Sequence, residues 1–198
     1  MKTASVRTLT LAETLWPVQS EAGFRALRMG LLALVGSLLI AASAQVQVPM
    51  YPVPMTMQSF AVLVIGMAYG ARLGFATVLL YLAEGALGLP VFAGFKGGAP
   101  HLIGPTGGYL VDFALAAGLV GCLAERGWDR SLLRTFAAMM AGKVVIFLLG
   151  VGWLATLIGT EKAIALGFLP FIYGIVLKVA LAMAVLPGAW ALLGRRGG

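Results

Sequence analysis

Long apolar runs, separated by short polar or proline-rich breaks, constrain the fold of this chain more than any other feature of its sequence. The runs are about 20 residues long, which is the length of α-helix that crosses the hydrocarbon core of a bilayer. A membrane barrel would instead show strands of about ten residues with alternating polar and apolar positions. Hydrophobic residues make up 61% of the chain and charged residues 11%, whereas soluble domains are about half apolar and a quarter charged. The sequence therefore predicts an all-α integral membrane protein.

The breaks divide the chain into an N-terminal segment and six predicted transmembrane helices. We expect residues 1–25 to form a cytoplasmic or interfacial segment and residues 26–198 to form the six-helix membrane domain. The predicted helices cover approximately residues 26–46, 56–71, 73–88, 107–125, 132–157 and 165–193. An even number of crossings places both termini on the same side of the membrane.

The basic residues predict which side that is, because cytoplasmic segments of membrane proteins carry an excess of Lys and Arg. Only Lys96 and Lys162 lie in the loops on the side away from the termini. The side that holds the termini carries a much larger set: Lys2, Arg7, Arg25, Arg28, Arg72, Arg126, Arg130, Arg134, Arg195 and Arg196. Both termini are therefore expected in the cytoplasm, and the loops at about 47–55, 90–106 and 158–165 are expected to face outward. The net charge of +7 is accordingly read as an orientation signal and not as a nucleic-acid-binding signal.

A second interpretation concerns the first apolar run, which follows a basic segment and ends at Ala42, Ser43 and Ala44. Small residues in this arrangement resemble a signal-peptidase site. Cleavage there would leave five helices and an external N-terminus. The basic region before the run is long for a signal peptide, which favours the six-helix interpretation.

Four ionisable residues lie inside predicted helices: Glu84, Asp112, Lys143 and Lys178. A charged side chain that faces lipid costs at least about 2–3 kcal/mol, so each should face the bundle interior or a water-filled cavity. At 1.5 Å per residue, the two acids lie towards the outer ends of their helices and the two lysines near the middle of the membrane. This distribution predicts a ligand cavity that opens outward. A network of structural ion pairs is the alternative.

Glycine- and proline-rich loops are expected to cover that cavity. One loop carries residues 88–94 and 104–108 and leads into Tyr109; glycine allows close backbone approach and proline holds a loop's shape. The other loop contains Pro49, Pro52 and Pro54 and ends at Gln58, which is expected to point into the cavity mouth. Rigid loops without ligand contact are the alternative interpretation.

Small residues recur at intervals of four on the first helix, at Ala33, Ser37 and Ala41. Such spacing makes a flat helix face on which a second helix can pack closely. The spacing alone does not distinguish packing within the bundle from docking of a partner protein.

Missing motifs exclude several classes of enzyme. The sequence has no GxxxxGK[ST] motif for nucleotide hydrolysis and no GxSxG motif, and its only histidine, His101, lies in an outer loop. It has no Cys/His cluster for a metal, and the single Cys122 has no disulfide partner within the chain. An intramembrane enzyme is therefore disfavoured. A secondary transporter that couples solute movement to protons through Glu84 and Asp112 remains the alternative to a binding subunit.

With these stretches in view, the chain resembles the BioY family, the biotin-binding S components of energy-coupling factor (ECF) vitamin transporters. The resemblance rests on AQVQVPMYPVPMTMQ (44–58), LLYLAEGALGLPVFAGF (79–95), GPTGGYL (104–110) and LPFIYGIVLK (169–178). It implies a bacterial inner-membrane protein that captures biotin from outside, with biotin as its ligand and no cofactor. It also implies a membrane-embedded coupling subunit, docked on Ala33, Ser37 and Ala41, and two cytoplasmic ATPases; a homo-oligomer is the alternative assembly.

The last of these stretches implies where the ureido ring of biotin would bind. The family pattern Pro-Phe-x-x-Gly-Asp-x-x-Lys is matched at Pro170, Phe171, Gly174 and Lys178, but its Asp position is Ile175 here. Isoleucine cannot accept a hydrogen bond from a ureido N–H. We therefore expect Asp112 to supply the missing acceptor while Lys178 donates to the ureido oxygen or pairs with Asp112.

The remaining expected contacts of biotin divide by chemistry. Phe92 and Tyr109 are the expected apolar walls for the bicyclic ring and the valeryl chain. The carboxylate needs a hydrogen-bond donor, and the sequence leaves four alternatives open: Lys143, Gln58, Thr106 and loop N–H groups such as that of Gly107.

Overall fold

The computed structural model describes residues 7–17 and 21–196, and these residues are mostly helical. Their helices are α1 (Leu11–Leu15), α2 (Ala22–Gln45), α3 (Gln58–Tyr69), α4 (Ala71–Ala86), α5 (Pro100–Ile103), α6 (Gly107–Ala124), α7 (Leu132–Ile158), α8 (Thr160–Gly167) and α9 (Ile172–Arg196). A 3₁₀ turn (Leu169–Phe171) precedes α9, and a two-residue antiparallel hairpin, β1 (Gln47–Val48) and β2 (Met55–Thr56), follows α2. Lys2 and parts of the predicted N-terminal segment lie outside the described residues.

The helices occur where the apolar runs predict them, with differences at three places. The first long helix begins at Ala22, about four residues early, and α1 precedes it with a capping box made by Thr10 and Glu13. The predicted loop at 90–105 contains α5. The last predicted helix is divided into α8, the 3₁₀ turn and α9, because Pro170 lacks the N–H that a continuous helix would need at that point.

Within the described ranges, four segments are long and apolar enough to cross a membrane: Ala22–Gln45, Gly107–Ala124, Leu132–Ile158 and Thr160–Gly194. Helices α3 and α4 are shorter, with 12 and 16 residues. They are joined by Gly70 alone, whose φ of 83° favours glycine. A helical membrane protein is thus confirmed, and six crossings stay a prediction.

Helix α6 is the centre of the bundle. It packs against α7, α3 and α4, and 61% of its most apolar stretch is buried, compared with 22% for α2. Small residues allow this packing, because they let helix backbones approach closely. A methyl group added to Gly66 of α3 would lie only 2.6 Å from the carbonyl oxygen of Ala117 in α6. A methyl group on Gly121 of α6 would meet the backbone of Ala71 in the same way.

Helix α2 packs against α4 and exposes large apolar side chains on its other side, including Leu31, Leu34 and Leu38. An exposed apolar helix face of this length suits contact with lipid. Ser37 lies on the packed side, where it is fully buried and donates a hydrogen bond to the carboxylate of Glu84 in α4. The prediction that Ser37 contacts a partner protein is therefore wrong in this structure, since the small-residue stripe packs within the bundle at that point. For Ala33 and Ala41, which are partly buried, docking stays a prediction.

The connection between α6 and α7 is held against α9 at the end of the bundle that carries most of the arginines. The indole Nε1 of Trp190 donates a hydrogen bond of 2.7 Å to Asp129 Oδ2, and the Arg130 guanidinium stacks over the same indole at 4.2 Å. Burial raises the pKa of the Asp129 carboxyl. These contacts connect the polar loop to the last helix.

The close contact between α3 and α6 predicts a difference between two glycine-to-alanine variants. Gly66→Ala should lower the free energy of unfolding by about 1–3 kcal/mol, since overpacked cores lose that much. Gly152→Ala in α7 is the matched control, because its added methyl group meets no atom within 4 Å; it should be neutral or slightly stabilising. Thermal unfolding of the detergent-purified variants measures both effects. Equal melting temperatures for the two variants would contradict the packing of α6 described above.

Candidate functional site

A cavity of about 640 Å³ lies at the end of the bundle opposite the arginines. This volume is within the range of small-molecule sites, about 300–1,000 Å³. Its walls come from the hairpin and the first turn of α3, the loop between α4 and α6, and the facing sides of α6, α7 and α9. The residues on which the following description depends are Thr56, Gln58, Ser59, Phe92, Lys96, His101, Thr106, Tyr109, Leu110, Phe113, Phe147, Phe171 and Lys178.

Two buried lysines converge on one hydroxyl group beside this cavity. The Lys178 Nζ donates to the backbone carbonyl of Thr56 at 2.6 Å and to Ser59 Oγ at 3.4 Å. Lys143 Nζ, on the neighbouring helix α7, donates to the same Ser59 Oγ at 2.8 Å. Lys143 and Lys178 are only 2% and 5% exposed. Lys178 and Ser59 line the cavity, and Lys143 lies behind them.

Neither lysine has a carboxylate partner in the part of the chain that the structure describes. A buried ammonium group with only neutral oxygen partners is poorly compensated for its loss of hydration. The arrangement therefore favours a guest molecule that brings an electron-rich oxygen to Lys178.

Asp112 does not share the chamber with Lys178, so the predicted pairing of these two side chains is wrong in this structure. Tyr109, Leu110 and Phe113 of α6 line the cavity and Asp112 does not. At 3.6 residues per turn, Asp112 lies about 100° around the helix axis from the centre of that lining face. It is 6% exposed, and its Oδ2 has no hydrogen-bond partner among the described residues.

A chain of hydrogen bonds connects the cavity wall to the loop above it. The Gln58 amide donates to the hydroxyl of Tyr81 at 2.6 Å, and that hydroxyl donates to the carbonyl of Val91 at 3.0 Å. The Phe92 ring packs edge-on against Tyr81, with 5.6 Å between centroids. It also fills the space above Gly85, where any side chain would overlap the ring. Gln58 and Phe92 are thus fixed in the wall by a fully buried tyrosine.

The tip of the same loop is held by the last residue of α2. The Gln45 side chain donates to the Phe92 carbonyl at 3.1 Å and accepts from the backbone N–H of Phe95 at 3.0 Å. Phe92 and Lys96 bridge the loop into a short antiparallel turn, in which Gly94 has a φ of 71°. Lys96 lines the cavity and is exposed, so it lies at the mouth.

Aromatic side chains form the opposite wall. The Phe147 ring is edge-on to Tyr109, Phe168 and Phe171, with centroid distances of 6.2, 5.4 and 5.6 Å. The Tyr109 hydroxyl donates to the Gly167 carbonyl at 3.0 Å, which fixes the ring next to the break between α8 and α9. This wall offers an apolar surface to a ring system.

The structure brings five of the eight predicted ligand-binding residues to the cavity: Gln58, Phe92, Thr106, Tyr109 and Lys178. Three others, Gly107, Asp112 and Lys143, are not on its lining; Gly107 instead packs against the backbone of Leu102. The sequence prediction missed Ser59, the Thr56 carbonyl, Lys96 and His101. Ser59 follows Gln58 at the start of a predicted helix, and this position is the signal that could have identified it.

A bundle of membrane-length helices with a capped, small-molecule-sized cavity at one end is the architecture of a membrane protein that can hold a small solute. A model of the BioY family matches residues 14–195, and the chain belongs to that family. It is 43% identical over 147 residues to "Probable biotin transporter BioY" of Pyrococcus horikoshii, covering 74% of this chain and 86% of the relative. It is 41% identical over 148 residues to "Biotin transporter BioY" of Thermotoga maritima, with the same coverage.

The fold also resembles a crystal structure of the S-component for biotin from an ECF-type ABC transporter. The two structures superpose with a TM-score of 0.71, covering 85% of this chain and 93% of that one, at 21% sequence identity. This likeness establishes the fold.

The hydrogen bonds of Tyr81 predict a stability effect. Tyr81→Phe removes the hydroxyl that forms hydrogen bonds with Gln58 and Val91. It should lower the free energy of unfolding by about 1–3 kcal/mol, because two buried polar groups lose their partner. Tyr173→Phe is the matched control, since Tyr173 is 85% exposed and should unfold like the unmodified protein. Thermal unfolding in detergent tests the pair, and a Tyr81 variant as stable as the Tyr173 variant would contradict the network described here.

Proposed function

We propose that this chain is the S component of an ECF-type vitamin transporter and binds biotin in the cavity described above. The observation that carries this proposal is the combination of apolar walls with a buried ammonium group, Lys178, that lacks an anionic partner among the described residues. The names of the two relatives support biotin as the ligand. Membership of a transporter family supports transport over catalysis.

The proposed placement in the membrane has six crossings, both termini in the cytoplasm and the cavity open to the outside. It is supported by the distribution of charge along the bundle, because positively charged segments remain cytoplasmic. Arg25, Arg72, Arg126 and Arg134 lie at the helix ends opposite the cavity. In a bacterium this arrangement corresponds to the inner membrane, with the vitamin entering from outside.

Biotin would place its ureido ring at Lys178. The ammonium group would donate to the ureido oxygen in place of its 3.4 Å contact with Ser59 Oγ, which would free one Ser59 lone pair. That oxygen and the Thr56 carbonyl, which has a second lone pair beside the one that Lys178 uses, would then accept from the ureido N–H groups. This assignment supplies the acceptor that Ile175 lacks without requiring Asp112. The acceptors on β2 and α3 would thus take the role that the family pattern gives to a carboxylate on α9.

The rest of the ligand would extend towards the mouth. The bicyclic ring would lie between Phe92 and the aromatic wall around Tyr109. The carboxylate of the valeryl chain would reach the exposed end of the cavity, where Lys96 and the side chain of Thr106 supply donors. Because Lys96 is solvated, its contribution to affinity would be small compared with that of a buried donor.

Release of biotin into the cell would require partners. This chain has no nucleotide-hydrolysis motif, so the proposed assembly adds a membrane-embedded coupling subunit and two ATPases. The alternative, a proton-coupled transporter, is not favoured. Its two carboxylates do not line the cavity, and Glu84 accepts a hydrogen bond from Ser37 at the α2–α4 interface.

Lys178 provides the direct test of the site. Lys178→Met should weaken biotin binding by about 10- to 150-fold, the range expected when a hydrogen bond to a charged group is lost. Lys162→Met removes the same side chain from an exposed position on α8 and should bind like the unmodified protein. Isothermal titration of the detergent-purified chain with biotin measures both. Binding within twofold for the Lys178 variant would contradict this site, and a folded protein that does not bind biotin would contradict the proposed function.

A second pair of variants distinguishes the two candidate acceptors. Ser59→Ala should weaken biotin binding by about 3- to 10-fold, as expected for a neutral hydrogen bond. Asp112→Asn should bind within twofold of the unmodified protein, because its side chain does not reach the cavity lining. The same titration is the measurement. The reverse order of effects would return the acceptor role to Asp112.

A further inference from the structure

A second cavity of about 630 Å³ lies at the arginine-rich end of the bundle, where α1, the first half of α2, the ends of α3 and α6 and the start of α4 meet. It is far from the ligand cavity, because α2 alone is about 36 Å long at 1.5 Å per residue. Four arginines and two glutamates line it: Arg7, Arg25, Arg28, Arg72, Glu13 and Glu125. Positive charge therefore predominates.

The two glutamates are already occupied. Arg7 pairs with Glu13 at 3.1 Å and with Glu125 at 3.3 Å. Glu125 also accepts a hydrogen bond from the backbone N–H of Ala71 at the start of α4. These carboxylates thus hold α1, α4 and α6 together and leave little negative charge for Arg28 and Arg72.

Arg28 is the residue that indicates an anion-binding site. It is only 5% exposed. Its Nη2 donates a hydrogen bond of 2.8 Å to the carbonyl oxygen of Ala12, which is an uncharged acceptor. Its Nε is buried and has no hydrogen-bond partner among the described residues. A buried guanidinium in this state is costly unless an anion accompanies it, and the face of Trp16, at 5.9 Å, compensates for only part of the charge.

The remaining wall of this cavity is apolar. Met29 and Ala33 of α2 face Leu73 and Ala76 of α4 there, so the wall continues along the two helices into the apolar part of the bundle. Arginines above a groove between apolar helices have the shape and charge of a site for a lipid with an anionic head group. A free inorganic phosphate would use the arginines and leave the apolar wall without a contact.

We infer that this cavity binds an anionic phospholipid. Arg28 and Arg72 would hold its phosphodiester head group, and one acyl chain would lie along the apolar groove between α2 and α4. Guanidinium groups bind phosphate oxygens through paired N–H donors. The lipid would hold α2 against α4 at the end of the bundle away from the ligand. The inference depends on the membrane placement of the chain and not on the identity of its vitamin.

Native mass spectrometry of the detergent-purified full chain tests this inference with three probes: dioctanoyl phosphatidylglycerol, dioctanoyl phosphatidylcholine and inorganic phosphate. The unmodified protein should retain phosphatidylglycerol in preference to the net-neutral phosphatidylcholine. Arg72→Gln changes an exposed side chain and should weaken phosphatidylglycerol binding about fivefold, the effect of one arginine near a membrane surface. Arg28→Gln should weaken it at least as much.

Arg134→Gln is the matched control, because Arg134 is equally exposed, has the same charge and does not line the cavity; it should change binding by less than twofold. Equal losses in the Arg72 and Arg134 variants, or no preference between the two lipids, would overturn the site. Inorganic phosphate binding as tightly as phosphatidylglycerol would replace the lipid with a free phosphate. Biotin titration of the same variants should give unchanged affinity. The titration tests biotin binding and the mass spectrometry tests lipid binding, so failure of one proposal can be distinguished from failure of the other.

Discussion

The hydrogen bonds from Lys143 and Lys178 to the single hydroxyl of Ser59 are the contacts on which the rest of the ligand site depends. They join α3, α7 and α9 through charged donors inside an apolar bundle. Burial of a charged group in a membrane protein costs free energy. Such a group is tolerated where it contacts a polar partner, water or a ligand. Because one hydroxyl serves two lysine side chains, the protein's own groups compensate their charge only in part. The proposed ligand would add an electron-rich oxygen at this point of an otherwise apolar cavity.

The close packing of α6 makes this arrangement possible. Gly66 and Gly121 bring the backbones of α3 and α4 against α6, so the three helices form a closely packed unit that carries one side of the cavity. The cap is attached to this unit at two places, through Tyr81 below the loop and Gln45 at its tip. Gln45 ends the helix whose other end contributes Arg28 to the second cavity. Helix α2 therefore connects the loop above the first cavity to the arginine-rich end of the bundle.

Much of this could be predicted from the sequence. Apolar runs separated by breaks predict membrane helices, because length and hydropathy are properties of the chain itself. Lys178 was identifiable as a charged group at a position where lipid contact would be costly. Gln58 was identifiable as the polar residue at which the proline-rich loop meets the next helix. The break at Pro170 was missed, because the apolar run continues through it and a proline is also tolerated inside a membrane helix, as Pro187 is in α9. Ser59 was missed, since a serine at a helix start has many ordinary roles in capping and turns.

The sequence by itself determined that this is a helical membrane protein with buried charge, since both follow from composition and spacing. Only the tertiary structure decided which buried charges share a chamber. Asp112 and Tyr109 are three residues apart on one helix, yet only Tyr109 lines the cavity, because packing against three neighbours selects one face of α6 for that purpose. In the same way, the sequence allowed Ser37 to contact either a partner protein or another helix. In the structure it lies inside the bundle and donates a hydrogen bond to Glu84. The rotation of a helix about its own axis is set by the helices that pack against it. The order of residues along the sequence does not say which helices those are.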